Sequence, residues 1–274
     1  MDADALTGWV QDRLRTLGLS LPGTPPRPER ALVGFDGGSR SQDAARWAGA
    51  LAREVLLVTA MPDHPSGAHG TGPITRRDAA SWAEGTRAMV RQALPDTVDA
   101  LGDRHVERLE EVGSPVRVLQ RLLEEQDAQL LVVGTVNRGW MDRAVLGSVS
   151  ESLLHHARVA TLLADEPPGP GPIIAAVGRD KGSALSAGWG AAIAGWLNRE
   201  LLLAHAAPGD GPPRFEDKVD GAEAITVAWP PRRGVVHLAE QRQASLIVTG
   251  HGLSPGWVGS KAVAISRTAP CSVL

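Results

Sequence analysis

The chain restarts partway along its length. PIIAAVG (172–178) repeats the pattern of RALVGFD (30–36), and RELLLAHAAP (199–208) repeats that of REVLLVTAMP (53–62). AEQRQASLIVTG (239–250) does the same for LEEQDAQLLVVG (123–134). Matching segments in one fixed order are an internal duplication, and a duplicated chain is expected to build one supersecondary plan twice. Between the copies stands Asp165-Glu166-Pro167-Pro168-Gly169-Pro170-Gly171. Its prolines lack the N–H that a helix interior or central strand needs, so it reads as a linker. A chain of 274 residues has room for two domains of ordinary size.

Within the first copy, ALVGF (31–35), VLLVTA (55–60), LLVVG (130–134) and VATLLA (159–164) are short unbroken apolar runs. Such runs suit strands covered on both faces. A further strand is expected near His105 to Val112. Amphipathic stretches separate the runs: Ser41 to Arg53, about Thr75 to Leu94, Val116 to Gln126, and Ser148 to His156. Strands alternating with helices imply an α/β domain with a parallel sheet. In the second copy the long helical stretch after Met61 has no counterpart. Only GDGPPRFEDKVDGAEA (209–224) follows Pro208, so one helix is expected to be missing.

Residues 1–29 stand apart from both copies. Leu6, Val10, Leu14 and Leu17 recur at helical spacing and form one apolar stripe. LPGTPPRPE (21–29) follows as a tether. A spare amphipathic helix and a copy that has lost one suggest that the first covers the second, in the same chain or in a partner. The expected organisation is therefore a helix and tether (1–29), a first domain (30–164), a linker (165–171) and a shortened second domain (172–274).

Composition narrows the function. The net charge of −3 gives no basic field for nucleic acid or an anionic membrane surface. No stretch is long and apolar enough to span a bilayer, and no signal-peptide core opens the chain, so a cytoplasmic protein is expected. The single cysteine, Cys271, excludes an internal disulfide and reads as a core residue. His64, His69, His155 and His156 lack the paired spacing of a metal site. No Ser-His-Asp order is apparent that the loops would bring together.

The informative loop runs from Gly134 to Ser148, between a strand and a helix. Glycines before a helix N-terminus offer backbone N–H groups and the positive end of a dipole to an anion. In an open α/β sheet, ligands bind beyond the carboxyl ends of the strands, where the strand order reverses. If strands one and four are neighbours there, Phe35-Asp36-Gly37-Gly38-Ser39 faces this loop. A carboxylate for ribose or adenine and a glycine loop for phosphates suit a nucleotide. The plainer alternative is that Asp36 caps a helix and the glycines make tight turns.

The segments VGFDGGSRSQDAARWAGALA, EVGSPVRVLQRLLEEQDAQLLVVG and GTVNRGWMDRAVLGSVSESLLHHA resemble the universal stress proteins in their tandem two-domain form. The resemblance covers about residues 30–274. The family's nucleotide motif is Gly, two residues, Gly, nine residues, Gly, then Ser or Thr. Gly134, Asn137, Gly147 and Ser148 stand at those four positions.

The resemblance implies five-stranded sheets of order 3-2-1-4-5, in the style of the adenine nucleotide alpha hydrolases. It also implies binding of ATP, with or without Mg, and dimerisation through the last strand, between chains or between the two copies. Carried over by position, Asp36 and Gly37 would meet the adenosine end, and Ala60 and Val133 the adenine. Gly134, Asn137, Arg138, Gly147, Ser148 and Val149 would hold ribose and phosphates.

This sequence departs from the family at Asn137, where a glycine is usual. Asp142 and Trp140 add negative charge and bulk to the loop, while Arg138 and Arg143 add positive charge. The second copy has Gly178 in place of the carboxylate, and its loop from Gly250 to Gly259 is four residues shorter than that from Gly134 to Gly147. It reads as a degenerate partner.

The expected function is a stress-response or signalling protein that binds ATP or a related adenine nucleotide in the first domain. Since no general base is identifiable, hydrolysis would at most be slow. One alternative is a nucleotide-free protein acting through dimerisation and partner binding. Another is alpha-phosphate chemistry of the wider hydrolase-like group, although the histidine-rich segment such enzymes often use is absent.

Overall fold

The computed structural model describes residues 2–61, 76–135, 148–156, 158–206, 216–228, 230–250 and 260–274. Among these, the residues of 28–167 form one compact unit and those of 1–27 and 168–274 form another.

The first unit contains β1 (Arg30–Gly34), α2 (Ser39–Leu51), β2 (Glu54–Met61), α3 (Arg76–Leu101), β3 (His105–Val112), α4 (Pro115–Glu125), β4 (Leu130–Gly134), α5 (Ser148–His156) and β5 (Ala160–Ala164). The helix numbering leaves α1 to the N-terminal segment, Ala3–Thr16. The strands pair in the order β3-β2-β1-β4-β5, all parallel. β1 and β4 are central, and Leu32, Val33, Leu131 and Val132 are fully buried. Packing on both faces is why these runs carry no alternation. α2 and α3 pack together, and α4 packs with α5.

Two details differ from the sequence reading. α3 continues to Leu101, through Pro95. Pro95 lies on an exposed face, and the buried stripe of Val90, Ala93, Thr97 and Leu101 passes beside it. Tertiary packing thus outweighs the lost hydrogen bond. The segment Asp217–Val219, with no apolar alternation to mark it, is a short strand.

The second unit holds β6 (Ile173–Val177), α6 (Lys181–Leu197), β7 (Leu201–Ala206), β8 (Asp217–Val219), β9 (Ala222–Val227), α7 (Pro231–Arg242), β10 (Leu246–Thr249), α8 (Ser260–Ser266) and β11 (Ser272–Val273). Its order is β11-β10-β6-β7-β9-β8. β8 runs antiparallel to β9, and the other pairs are parallel. Among the described residues no helix lies between β7 and β9.

α1 belongs to this second unit and packs against α6. Its N-cap is Asp2, whose carboxylate accepts from the Ala5 N–H at 2.8 Å. Leu6, Val10 and Leu14 are buried on α6. Burying such side chains is worth about 1.5–3 kcal/mol each. Trp9 Nε1 donates to Asp217 Oδ2 at 3.1 Å, and Arg13 pairs with the same oxygen at 2.8 Å. The tether follows onto α6: a Cβ on Gly188 would lie 3.0 Å from the Gly23 carbonyl oxygen. α6 is apolar on nearly all sides because the sheet covers one face and α1 with its tether covers another.

The edge of the second unit is fastened by Glu223, which accepts from Arg242 at 2.9 Å and from Lys218 at 3.3 Å. Burial pushes the Glu223 carboxyl up, but the hydrogen bonds and charges of Arg242 and Lys218 outweigh it and hold the group below its ordinary 4.5. A depressed carboxylate stabilises the fold above that value, and the contribution is lost as pH falls through the lower, folded-state value. Glu223→Gln is therefore expected to cost about 0.5–1.5 kcal/mol at pH 7 and progressively less as the pH falls below 4.5, measured by urea unfolding. A cost that persists undiminished at low pH would contradict this assignment.

Candidate functional site

The pairing of β1 with β4 sets Gly34 opposite Val133. The turn after β1 and the loop after β4 therefore leave the sheet side by side at its carboxyl edge. The turn is internally satisfied. Asp36 Oδ1 accepts from the Gly38 N–H at 2.9 Å, and Ser41 Oγ donates to the Gly38 carbonyl at 2.9 Å. Gln42 Nε2 donates to the Gly37 carbonyl at 3.2 Å. Gly38 is the N-cap of α2 and makes no side-chain cap bond. Asp36 thus braces the turn and leaves an exposed carboxylate at the sheet edge.

Gly37 is required on two counts. Its φ is +83°, and a Cβ would lie 2.6–2.7 Å from the backbone of Met89 and Val90 in α3.

At the end of β4, Val133 is buried, its Cγ1 3.3 Å from where a Gly34 Cβ would stand. A Cβ on Gly134 would lie 2.7 Å from the Arg40 carbonyl, so the first turn of α2 presses directly on the strand end. Ser150 Oγ donates to the Gly134 carbonyl at 3.2 Å and ties α5 to the same point. α5 begins at Ser148, and Val149 is half-buried in its first turn. Ala60, also half-buried, stands at the carboxyl end of β2, the other neighbour of β1. Asn137, Arg138 and Gly147 lie outside the described residues, as does the Ser148 side chain. The structure thus brings Asp36, Gly37, Ala60, Val133, Gly134 and Val149 to one edge, with the start of α5.

A charged cluster beside the site has no counterpart in the sequence reading. The Arg40 guanidinium lies 3.8 Å from Asp43 and 3.6 Å from Asp165. Arg46 pairs with Asp43 at 3.0 Å, and Thr135 Oγ1 donates to Asp165 Oδ1 at 2.8 Å. Thr135 is the first residue after Gly134, and Asp165 the first after β5, so this bond fixes the exit of the loop strand to the end of the unit. The Trp47 indole does the same for the next residue, donating to the Glu166 carbonyl at 2.7 Å. Burial raises the Asp43 carboxyl, opposed by Arg46 and Arg40 and reinforced by Asp165. Arg40 Nε is buried with no hydrogen-bond partner among the described residues. Only the spacing of Arg40, Asp43 and Arg46 within one helix hints at the cluster in sequence; Asp165 joins it through topology alone.

The corresponding edge of the second unit is closed differently. Ser183 Oγ accepts from the Gly178 N–H at 2.7 Å, much as Ser41 Oγ accepts from the Asp36 N–H at 3.4 Å. Asp180 accepts from the Ser183 N–H at 2.9 Å and caps α6. A carboxylate is present, but it is spent on the cap. Among the described residues of the whole chain, no group of three or more His, Cys, Asp or Glu is arranged to hold a metal ion. No described helix is long and apolar enough to cross a membrane.

The sequence profile of the universal stress protein family matches residues 28–164. Universal stress proteins of two Mycobacterium tuberculosis strains are 31% identical over 139 residues, 48% of this chain and 92% of theirs. A universal stress protein of Mycolicibacterium smegmatis is 31% identical over 144 residues, 46% of this chain and 44% of its own, so the match spans less than half of that relative. A solved universal stress protein from Archaeoglobus fulgidus shares the fold, with a TM-score of 0.70 at 15% identity over 89% of this chain and 97% of that one.

Arg40→Ala would leave Asp43 and Asp165 facing each other with one cation removed. It is expected to destabilise the first unit by about 1–3 kcal/mol at pH 7. A raised carboxyl takes up its proton in the folded state before the unfolded chain does, so acidification relieves the repulsion. The loss should therefore shrink in urea titrations as pH is lowered from 7 towards the ordinary carboxylate value of 3.8, and a loss independent of pH would contradict the cluster's role.

Proposed function

We propose that this chain, which belongs to the universal stress protein family, is a nucleotide-responsive stress or signalling protein whose first unit holds ATP or a related adenine nucleotide. The observation that carries the reading is the β1–β4 pairing, which sets an exposed carboxylate beside a glycine-led loop that ends at a helix N-terminus. Asp36 would meet the adenosine end, and Gly134, Ser148 and Val149 would approach ribose and phosphates. Gly134 leaves no side chain between the loop and α2, and the N-terminus of α5 would present the positive end of its dipole to an anion. Asn137, Arg138 and Gly147 complete the motif by sequence.

The proposal extends to a tandem organisation. Both units carry their parallel strands in the same order by chain position, and Ser41 and Ser183 brace equivalent turns. The second would be a degenerate copy that does not take nucleotide: Gly178 replaces the carboxylate, and the loop from Gly250 to Gly259 is four residues shorter than that from Gly134 to Gly147.

A nucleotide-free interaction protein is the second reading. It is favoured by one observation: Gly37 and Gly134 are each required by the close approach of a helix, with no ligand invoked.

Ligand that binds only the folded state stabilises by about 2.7 kcal/mol at a hundredfold excess over Kd. Thermal unfolding with saturating ATP and Mg should therefore shift upward by several degrees in the full chain. Asp36→Ala and Gly147→Val should each abolish that increment. Asp180→Ala, in the second unit, should lower the baseline while leaving the increment in place. An increment that survives Asp36→Ala, or is absent in the unaltered protein, would exclude the site.

A further inference from the structure

The N-terminal segment is joined to the first unit by its chain but packs with the second. In the first unit, α3 covers the flank of α2 and runs alongside it in the same direction: Gly37, before α2, abuts Met89, and Gly49, near its end, abuts Leu101. In the second unit the crossover from β7 to β9 supplies no described helix for the flank of α6. α1 lies against α6 instead and reaches the β8 edge through Trp9 and Arg13. It runs the opposite way. Ala3 meets Gly195, near the end of α6, and the tether residues Leu21, Gly23 and Pro25 meet Gly188 nearer its start.

A helix of reversed direction, arriving from the far end of the sequence, is held by its side chains rather than by the connectivity of the fold. Those side chains form a recognition pattern: Leu6, Val10 and Leu14 on one stripe, and the Trp9 indole and Arg13 guanidinium converging on a single carboxylate oxygen of Asp217. The receiving face allows close approach at Gly188, where a Cβ would lie 3.0 Å from the Gly23 carbonyl oxygen. Short tethers hold a ligand at high effective concentration, which keeps the face filled without making the contact covalent in character.

We propose that residues 2–27 are a tethered helical ligand of the second unit: they stand in for its missing crossover helix, and the α6 face binds the same amphipathic segment when a separate molecule supplies it. The face is thus a helix-receiving surface, and its occupant is this chain's own N-terminal segment.

The test uses the full chain carrying Val10→Asp and Leu14→Asp, followed by amide hydrogen exchange. The α6 amides should exchange at least tenfold faster than in the unaltered protein, while β1 and β4 of the first unit keep their protection. Adding a synthetic peptide of residues 1–27 should restore protection of α6, and the same peptide carrying Val10→Asp should not. Unchanged α6 exchange in the double variant, or a peptide that fails to restore protection, would overturn the proposal.

Should the double variant not fold, a protease site placed in the tether of the otherwise unaltered chain gives an independent reading. After cleavage, the native helix should stay bound and then exchange with excess fluorescent peptide of residues 1–27. Loss of the helix without uptake of peptide, or a helix that never exchanges, would equally overturn it.

Discussion

The parallel pairing of β1 with β4 is the contact on which the rest of the first unit depends. These central strands reverse the strand order, so everything leaving their carboxyl ends is forced to one place. The register Gly34 to Val133 puts the Asp36 turn beside the Gly134 loop. Close packing then makes the local demands severe. Leu119, Val133 and Gly34 meet within van der Waals distance, Gly37 abuts α3, and Gly134 abuts α2. The glycines of this edge are steric requirements of the scaffold before they are requirements of any ligand. Such a site is preorganised: its backbone is held by helix packing, and its carboxylate by a hydrogen bond within the turn.

Under the proposed tandem organisation, the second unit is the same plan with a part missing. An α6 flank without a helix over it would expose apolar surface, and burial of a few side chains is comparable to the whole stability of many domains. The chain covers the flank with a helix from its other end, run in the reverse direction and pinned to Asp217. The carboxyl edge has changed as well. In the first unit the carboxylate Asp36 stands two residues after β1 and braces its own turn, whereas in the second Asp180 stands three residues after β6 and caps α6. The consequence is a division of labour, with chemistry proposed for one unit and support for the other.

Much of this was legible in the sequence, for reasons that can be named. Buried central strands are continuous apolar runs, so ALVGF and LLVVG declare themselves. The stripe of Leu6, Val10 and Leu14 declares a helix in the same way, by period. The juxtaposition of Asp36 with Gly134 follows from element order once the sheet is taken as doubly wound. What was illegible depends on contacts distant in sequence. β8 is a strand by main-chain pairing with β9, and DKV carries no pattern to show it. α3 passes through Pro95 because its buried face continues on the opposite side. The Arg40–Asp165 contact joins residues that only the topology brings together, and the reversed direction of α1 is a property of the surface it meets. The family resemblance supplied roles for Asn137, Arg138 and Gly147 that the described structure leaves as proposals.

The central claim is that one carboxyl edge, and only one, is built for an adenine nucleotide. Native mass spectrometry of the purified full chain equilibrated with ATP and Mg measures this as a stoichiometry. One nucleotide per chain is the predicted result. None would contradict the nucleotide reading of the first unit, and two would contradict the degenerate reading of the second.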